Sequence, residues 1–444
     1  MQKDEILKIL VDWNFWEQDL ETGIPRNLYL KEMDNLMSTD QVITLIGPRR
    51  SGKSTLLLQF AKFLVQDKKV EKRDILIVNF EDYRFTEFSL ESVHKIYETY
   101  LEKVKPNLKT KPYIFLDEVQ RVKEWERFVR SLHERKEAKF IVTGSASKLL
   151  GELGTLLTGR HLSLFVFPLS FREFLEFKGL EIKDELDLAA KRIEIKKLFS
   201  EYFELGGFPE VVLKSEKTKI LLEYFNDIIS RDVVERFRVR EILKLKTLAK
   251  YYITNFSNPI TFNSIKRLLN IPLHTVERFS YYLENSGLIY FLSRFSPSLK
   301  MQEKSPRKVY VIDNGLVNAI GLRVSSNFGR LAENLVFIEL KRRYSNNPLI
   351  EIFYWKSNTK EVDFVIKKSM RIECIIQVCW NIEDEKTKKR EIDGLLLAMK
   401  KFKLNEGLVI TEDYEGEDMI NDKTIKFRSL WKWLLNKNKS TMWK

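Results

Sequence analysis

The chain has only two cysteines among 444 residues, and no apolar run approaches membrane-spanning length. Two thiols, Cys374 and Cys379, exclude the disulfide framework that staples small secreted domains. They lie five apart in an expected strand, so they should face opposite sides. A spanning helix needs about 20 consecutive apolar residues, so no membrane partner is expected. The N-terminus, MQKDEILKILVDWNFWEQDL, is acidic and amphipathic, unlike a secretion signal. Gln is scarce. Internal repeats and low-complexity segments are missing, which excludes a repeat architecture. A reduced, cytoplasmic, globular protein is the expectation.

What is present is a chain of 44% hydrophobic and 31% charged residues, long enough for two or three domains with ample core. Its net charge is +13. Residues 214–310 hold 18 Lys and Arg against 9 Asp and Glu, so most of the excess sits in under a quarter of the chain. A local basic excess suggests a nucleic-acid surface, against the plainer reading of a solvated Lys-rich face.

Five short apolar segments read as buried strands: Val42–Ile46, then DILIVNFED, KPYIFLDEVQ, AKFIVTGSAS and the start of HLSLFVFPLSFREF. Helical stretches lie between them. Continuous apolar strands alternating with helices imply a parallel sheet covered on both faces.

TLIGPRRSGKSTLL joins the first strand to a helix with the spacing Gly47-x-x-x-x-Gly52-Lys53-Ser54. This is the P-loop pattern, in which successive backbone N–H groups and a helix N-terminus cradle phosphates. Gly47, Pro48, Arg49, Arg50, Ser51, Gly52, Lys53, Ser54 and Thr55 are the candidate nucleotide contacts. Lys53 would reach the β- and γ-phosphates of ATP, and Ser54 would take Mg²⁺. YIFLDEVQ places Asp117 and Glu118 at the end of a strand, where an open parallel sheet keeps its ligand crevice. Asp117 would hold Mg²⁺ through water, and Glu118 would activate an attacking water. Thr143 and Ser145 in IVTGSAS are candidates for the γ-phosphate. Asn79 could hold Glu118 in check. Arg26 could contact nucleotide or sheet.

These motifs, with NFEDYRF, LDEVQRVKEWERFVRSL, LLTGRHLSLFVFPLSFREF and GGFPEVV, resemble archaeal and bacterial AAA-type ATPases with a nuclease-like C-terminal domain. The likeness lies near the archaeal ATPase, origin-recognition and STAND branches. It implies an ATPase core at 1–170, a helical lid at 171–250, a winged helix at 251–305 and a restriction-endonuclease-like α/β domain at 306–444. It also implies an arginine-finger role for Arg160 on a neighbouring subunit's nucleotide, hence a homo-oligomer, and a base-packing role for Pro209 in Gly206-Gly207-Phe208-Pro209.

TFNSIKRLLNIPLHTVERFSYYLENSGLIYFLSRF has the layout of a winged helix-turn-helix, with a hairpin after Gly287. Ile265, Leu268 and Leu269 would form one apolar stripe. His274, Thr275, Glu277 and Arg278 would face a DNA major groove, with Lys266 and Arg267 on phosphates. The C-terminal layout resembles a PD-(D/E)xK nuclease, which needs an acid on its first helix, an Asp, then acid-x-Lys on the next strand. The carboxylates bind Mg²⁺ and the Lys helps activate water. Glu333 and Asp363 fit the first two positions. Gln377 and Cys379 stand where acid and lysine belong, Glu373 lies displaced along the strand, and Lys356 or Lys360 could supply the missing ammonium. The expectation is an ATP-hydrolysing protein acting on DNA with a degenerate nuclease-like domain; the alternative is an ATP-dependent switch with a protein partner.

Overall fold

The computed structural model describes residues 1–107, 109–144, 157, 159–321, 327–357 and 360–436. They fall into two compact units, 1–166 and 167–444. No helix of the described residues is long and apolar enough to cross a membrane.

The first unit is built on five strands, β1 (Val42–Ile46), β2 (Ile75–Asn79), β3 (Tyr113–Asp117), β4 (Lys139–Thr143) and β5 (His161–Phe165), in the order β2-β3-β4-β1-β5. All pairings are parallel. Two apolar clusters explain why the strands are apolar throughout. One, around Leu116, Tyr100 and Trp125, covers one face; the other, around Phe60, Phe115 and Ile141, covers the opposite face. The helix Lys53–Gln66 follows β1 and buries Leu56, Leu57, Phe60 and Leu64. The five expected strands are all present.

The second unit opens with helices from Phe171–Phe177 to Ile242–Thr254. The first starts at a reciprocal capping box between Ser170 and Glu173. A three-stranded sheet follows, from β6 (Pro259–Ile260), β7 (Ile289–Leu292) and β8 (Arg307–Val311), in the order β6-β8-β7. The helices Phe262–Leu269 and Leu273–Asn285 lie between β6 and β7 in the chain, joined at Asn270 in the left-handed conformation. The strand Arg307–Val311 is a correction to the expected chain path. Read as the start of the C-terminal α/β region, it instead pairs antiparallel with β7 and with β6.

A six-stranded sheet completes the unit. It comprises β9 (Ile350–Lys356), β10 (Glu361–Lys368), β11 (Arg371–Val378), β12 (Glu406–Thr411), β13 (Gly416–Ile420) and β14 (Lys423–Ser429), in the order β13-β14-β12-β11-β10-β9. The helix Phe328–Tyr344 is buried all round from Leu331 to Leu340, so its Glu333, Asn334 and Glu339 must find partners inside.

Candidate functional site

The loop after β1 is shaped by backbone that side chains would obstruct. At Gly47, φ is +153° and an added Cβ would lie 2.4 Å from the Val166 carbonyl oxygen. Arg50 and Gly52 are left-handed, and the helix begins at Lys53. Buried Arg26 braces the loop by donating from Nη1 to the Ser51 carbonyl at 3.0 Å. Its guanidinium lies over the Tyr29 ring at 4.4 Å. Gln59 anchors the preceding segment, donating to the carbonyls of Thr22 and Ile24 and accepting from Arg26 N–H. Gln59 was not foreseen; a lone polar residue on the buried face of an apolar helix was its signal.

Lys53 is 6% exposed. Its ammonium donates to the loop's own carbonyls, Gly47 at 3.2 Å and Pro48 at 3.0 Å. Ser54 Oγ donates to Asp117 Oδ1 at 3.1 Å, and Thr143 donates to the same oxygen. Thr143 Oγ also accepts from Glu118 N–H at 3.1 Å. Thr55 is exposed in the first turn of the helix. Arg49 reaches Glu81 at 3.7 Å.

Asp117 is buried, and that burial, joined by the Glu118 charge, raises its carboxyl to about 6 against the hydrogen bonds from Thr143 and Ser54. Glu118 sits in the left-handed region at φ 51°, at the sharp end of β3. Gln120 Nε2 donates to its carboxylate. That contact is a correction to the role expected of Asn79, whose carboxamide oxygen accepts from Glu81 N–H instead.

The residues fit a magnesium-bound nucleotide. The loop packs so closely on the Val166 backbone that Gly47 has no room for a Cβ. The buried Ser51 hydroxyl finds no hydrogen-bond partner among the described residues. Ser54 and Asp117 offer adjacent hard oxygen ligands, which suit Mg²⁺.

Ser145 lies outside the described residues. Arg160 pairs with Glu134 of its own chain at 2.9 Å. Pro209 begins the short helix Pro209–Leu213 in the second unit. There the preceding glycines are fitted to Asp313. Gly207 N–H donates to its Oδ2 at 2.7 Å, and a Cβ on Gly206 would collide with its carboxylate.

Among the residues expected to face DNA, Thr275 is buried and cannot contact a ligand, while His274, Glu277 and Arg278 are exposed. Leu268, expected in an apolar stripe with Ile265, is instead 67% exposed.

Glu333, Asp363 and Gln377 do come together, around a residue the motif reading passed over. Lys308 of β8 is 2% exposed. Its Nζ lies 2.9 Å from Glu333 Oε1, 2.9 Å from Asp363 Oδ1 and 2.7 Å from Glu361 Oε1. Tyr310 donates to Glu333 Oε1 at 2.6 Å. Gln377 Nε2 donates to Asp363 Oδ2 at 2.9 Å and to Glu391 at 2.7 Å, and Val378 N–H donates to Asp363 Oδ2 at 3.0 Å. Burial opposes the charge on Lys308, but Asp363, Glu333, Tyr310 and Glu361 outweigh it and hold the ammonium charged. Burial and the neighbouring Asp363 push the Glu333 carboxyl up to about 8. Lys356 and Lys360, the expected substitutes, pair with Glu361 and Asp393. Glu373 pairs with Lys368. Cys374 and Cys379 are both buried free thiols.

A family model described as an AAA domain matches residues 39–175. Two domains of unknown function match 196–327 and 328–430. The chain is 36% identical to an uncharacterized protein, MJ1544, of Methanocaldococcus jannaschii, over 94% of this chain and 93% of that protein. It is 32% identical to an uncharacterized protein of Haemophilus influenzae, over 90% of this chain and 96% of that protein. Among solved structures, the Walker-type ATPase PABY2304 of Pyrococcus abyssi aligns at 14% identity and a TM-score of 0.45, over 68% of this chain and 99% of that one.

Proposed function

Because this chain belongs to the family of its archaeal and Haemophilus relatives and carries an AAA domain, we propose that it hydrolyses ATP and couples that cycle to DNA. The observation that carries the first half is the convergence of Ser54, Thr143 and Glu118 N–H on one node, Asp117 and the Thr143 hydroxyl, beside the loop.

In this reading the backbone N–H groups of Gly47 to Ser54 hold the phosphates, with Lys53 turning from its carbonyls to the β- and γ-oxygens. Ser54, and Asp117 through water, would hold Mg²⁺, which when bound would neutralise charge on the transferring phosphoryl group. Glu118 takes a proton from water as that water's oxygen bonds to the γ-phosphorus. The bond to the bridging oxygen breaks, leaving ADP and phosphate. Thr143 positions Asp117 and the Glu118 backbone. Arg160 releases Glu134 to reach the nucleotide of a neighbouring copy.

DNA contact is supported by the basic segment 214–310 and by exposed Lys266, Arg267 and Arg278 on two consecutive helices of winged-helix layout. The nuclease-like domain adds surface rather than cutting, since Gln377 and Cys379 replace its acid and lysine. The decisive experiment is ATP turnover by the purified chain, alone and with single- or double-stranded DNA, against a Lys53→Ala control. Stimulation by DNA, with binding that survives ~100–150 mM salt, supports the reading. Turnover indifferent to DNA removes its second half.

One observation favours the alternative, a STAND-like switch with a protein partner. Leu268 and Tyr281, 67% and 61% exposed, stand among those basic residues, and exposed apolar side chains suit a protein surface better than phosphates. A nucleotide-dependent change in molecular size without DNA would support it.

A further inference from the structure

The cluster around Lys308 has the form of a cation site whose cation is part of the chain. Three carboxylate oxygens, from Glu333 on a helix and from Glu361 and Asp363 on β10, converge on one positive centre. Convergent carboxylates are how proteins hold hard divalent ions. The separations here, 2.7–2.9 Å, are those of charge-assisted N–H···O bonds. The ammonium donates to Glu333 and Asp363 and pairs with Glu361, so carboxyl groups occupy its surroundings.

The surrounding groups are committed to the same arrangement. Gln377 spends its amide on Asp363 and Glu391, and Val378 N–H takes the same Asp363 oxygen. Tyr310, also on β8, completes Glu333. A Mg²⁺ ion at Glu333 and Asp363 would meet a buried positive charge where it should meet free carboxylate oxygen. The residues present do not fit it.

We propose that Lys308 is the resident cation of this carboxylate site. Its ammonium stands where a nuclease of this layout would hold a divalent ion, so that the centre is a metal-independent lock tying β8 to the helix Phe328–Tyr344 and to β10. The inference rests on the nuclease-like reading only for that comparison, and needs neither ATP nor DNA. One consequence is that divalent ions should not enter this carboxylate cluster.

The test uses the full chain with Lys53→Ala, titrated with Mn²⁺ alone, bound ion being counted by the loss of the free-ion electron paramagnetic resonance signal. With Lys308 intact, uptake up to ~1 mM should be the same with and without Asp363→Asn. Adding Lys308→Met, which keeps the stem and removes the charge, should create one new Mn²⁺ site at least about tenfold tighter. Asp363→Asn should abolish that new site. Asp363-dependent uptake in the chain that keeps Lys308 overturns the proposal, because the ammonium then yields to metal. A folded Lys308→Met chain that takes up no Mn²⁺ also overturns it. If Lys308→Met does not fold, the Asp363→Asn comparison with Lys308 intact decides alone: equal uptake supports the lock, and unequal uptake sinks it. DNA binding measured on the same chains reports separately on the reading above, so either can fail without the other.

Discussion

The two units each bury a lysine beside acids, and the lysines are held in opposite ways. Lys53 donates to two backbone carbonyls at 3.0 and 3.2 Å. Lys308 donates to two carboxyl groups at 2.9 Å and pairs with a third at 2.7 Å. A carbonyl is a neutral partner, so the first ammonium keeps its full charge available to an arriving phosphate. Carboxylates cancel the charge of the second, and turning it toward a ligand would leave buried anions unpaired, at a cost of several kcal/mol. The same side chain thus has neutral partners in one place and charged partners in the other. What it is paired with makes the difference, since both lysines are buried.

The largest test of this contrast is to remove each lysine. Lys53→Ala should lower ATP turnover by about 10²–10³-fold, as losing one donor to a developing oxyanion does, with little loss of melting temperature. Lys308→Met should do the reverse, destabilising the chain by ~3–5 kcal/mol as broken buried pairs do. Denaturant unfolding alongside turnover separates the two; equal behaviour would break the comparison.

A smaller effect concerns pH at the nucleotide site. Burial and the Glu118 charge raise Asp117 to about 6 from an ordinary 3.8. Between those values the folded chain keeps a proton that the unfolded chain has released. Asp117 therefore makes stability fall as pH rises through about 4–6, by ~3 kcal/mol at most, and adds no slope above. Mg²⁺ must displace the same proton, so Mg²⁺-dependent nucleotide affinity should drop about tenfold per unit below pH 6. Melting and nucleotide titrations of the wild-type chain and Asp117→Asn from pH 4.5 to 8 check both. A wild-type affinity flat across that range would count against an acid so placed.

Smaller still is Gln120→Ala. Its amide caps a Glu118 oxygen that would otherwise face water, so basal turnover should rise by a factor of about two to five; a fall would make Gln120 a positioning residue instead. The smallest effect on stability is that of Arg160→Ala, which removes an exposed pair with Glu134 and should leave the melting temperature essentially unchanged. Loss of turnover without loss of stability would show that neighbouring copies share sites.

Much of the nucleotide site is legible because its parts are local. Gly47 to Ser54 are contiguous, and Asp117 and Thr143 end apolar strands whose character is plain in the chain. A place at a strand end makes Asn79 a candidate partner for Glu118, but its side-chain oxygen takes the backbone N–H two residues on, as Asn often does. Thr275 and Leu268 show the same limit on a helix. Periodicity tells which residues share a face, and the packing of neighbouring elements decides which face is covered.

By itself the sequence determined the parallel sheet and the loop and acids at its edge, because continuous apolar runs, helical periodicity and loop spacing act over a few residues. It also read Gln377 and Cys379 as departures from the nuclease-like layout that the C-terminal region resembles. Only the tertiary structure decided what replaces the missing charge. Lys308 lies 25 residues from Glu333 and 55 from Asp363, in a strand read as part of the same C-terminal region but outside its motif. Nothing local marks it, because a buried ammonium is favoured only by the carboxylates that folding brings around it.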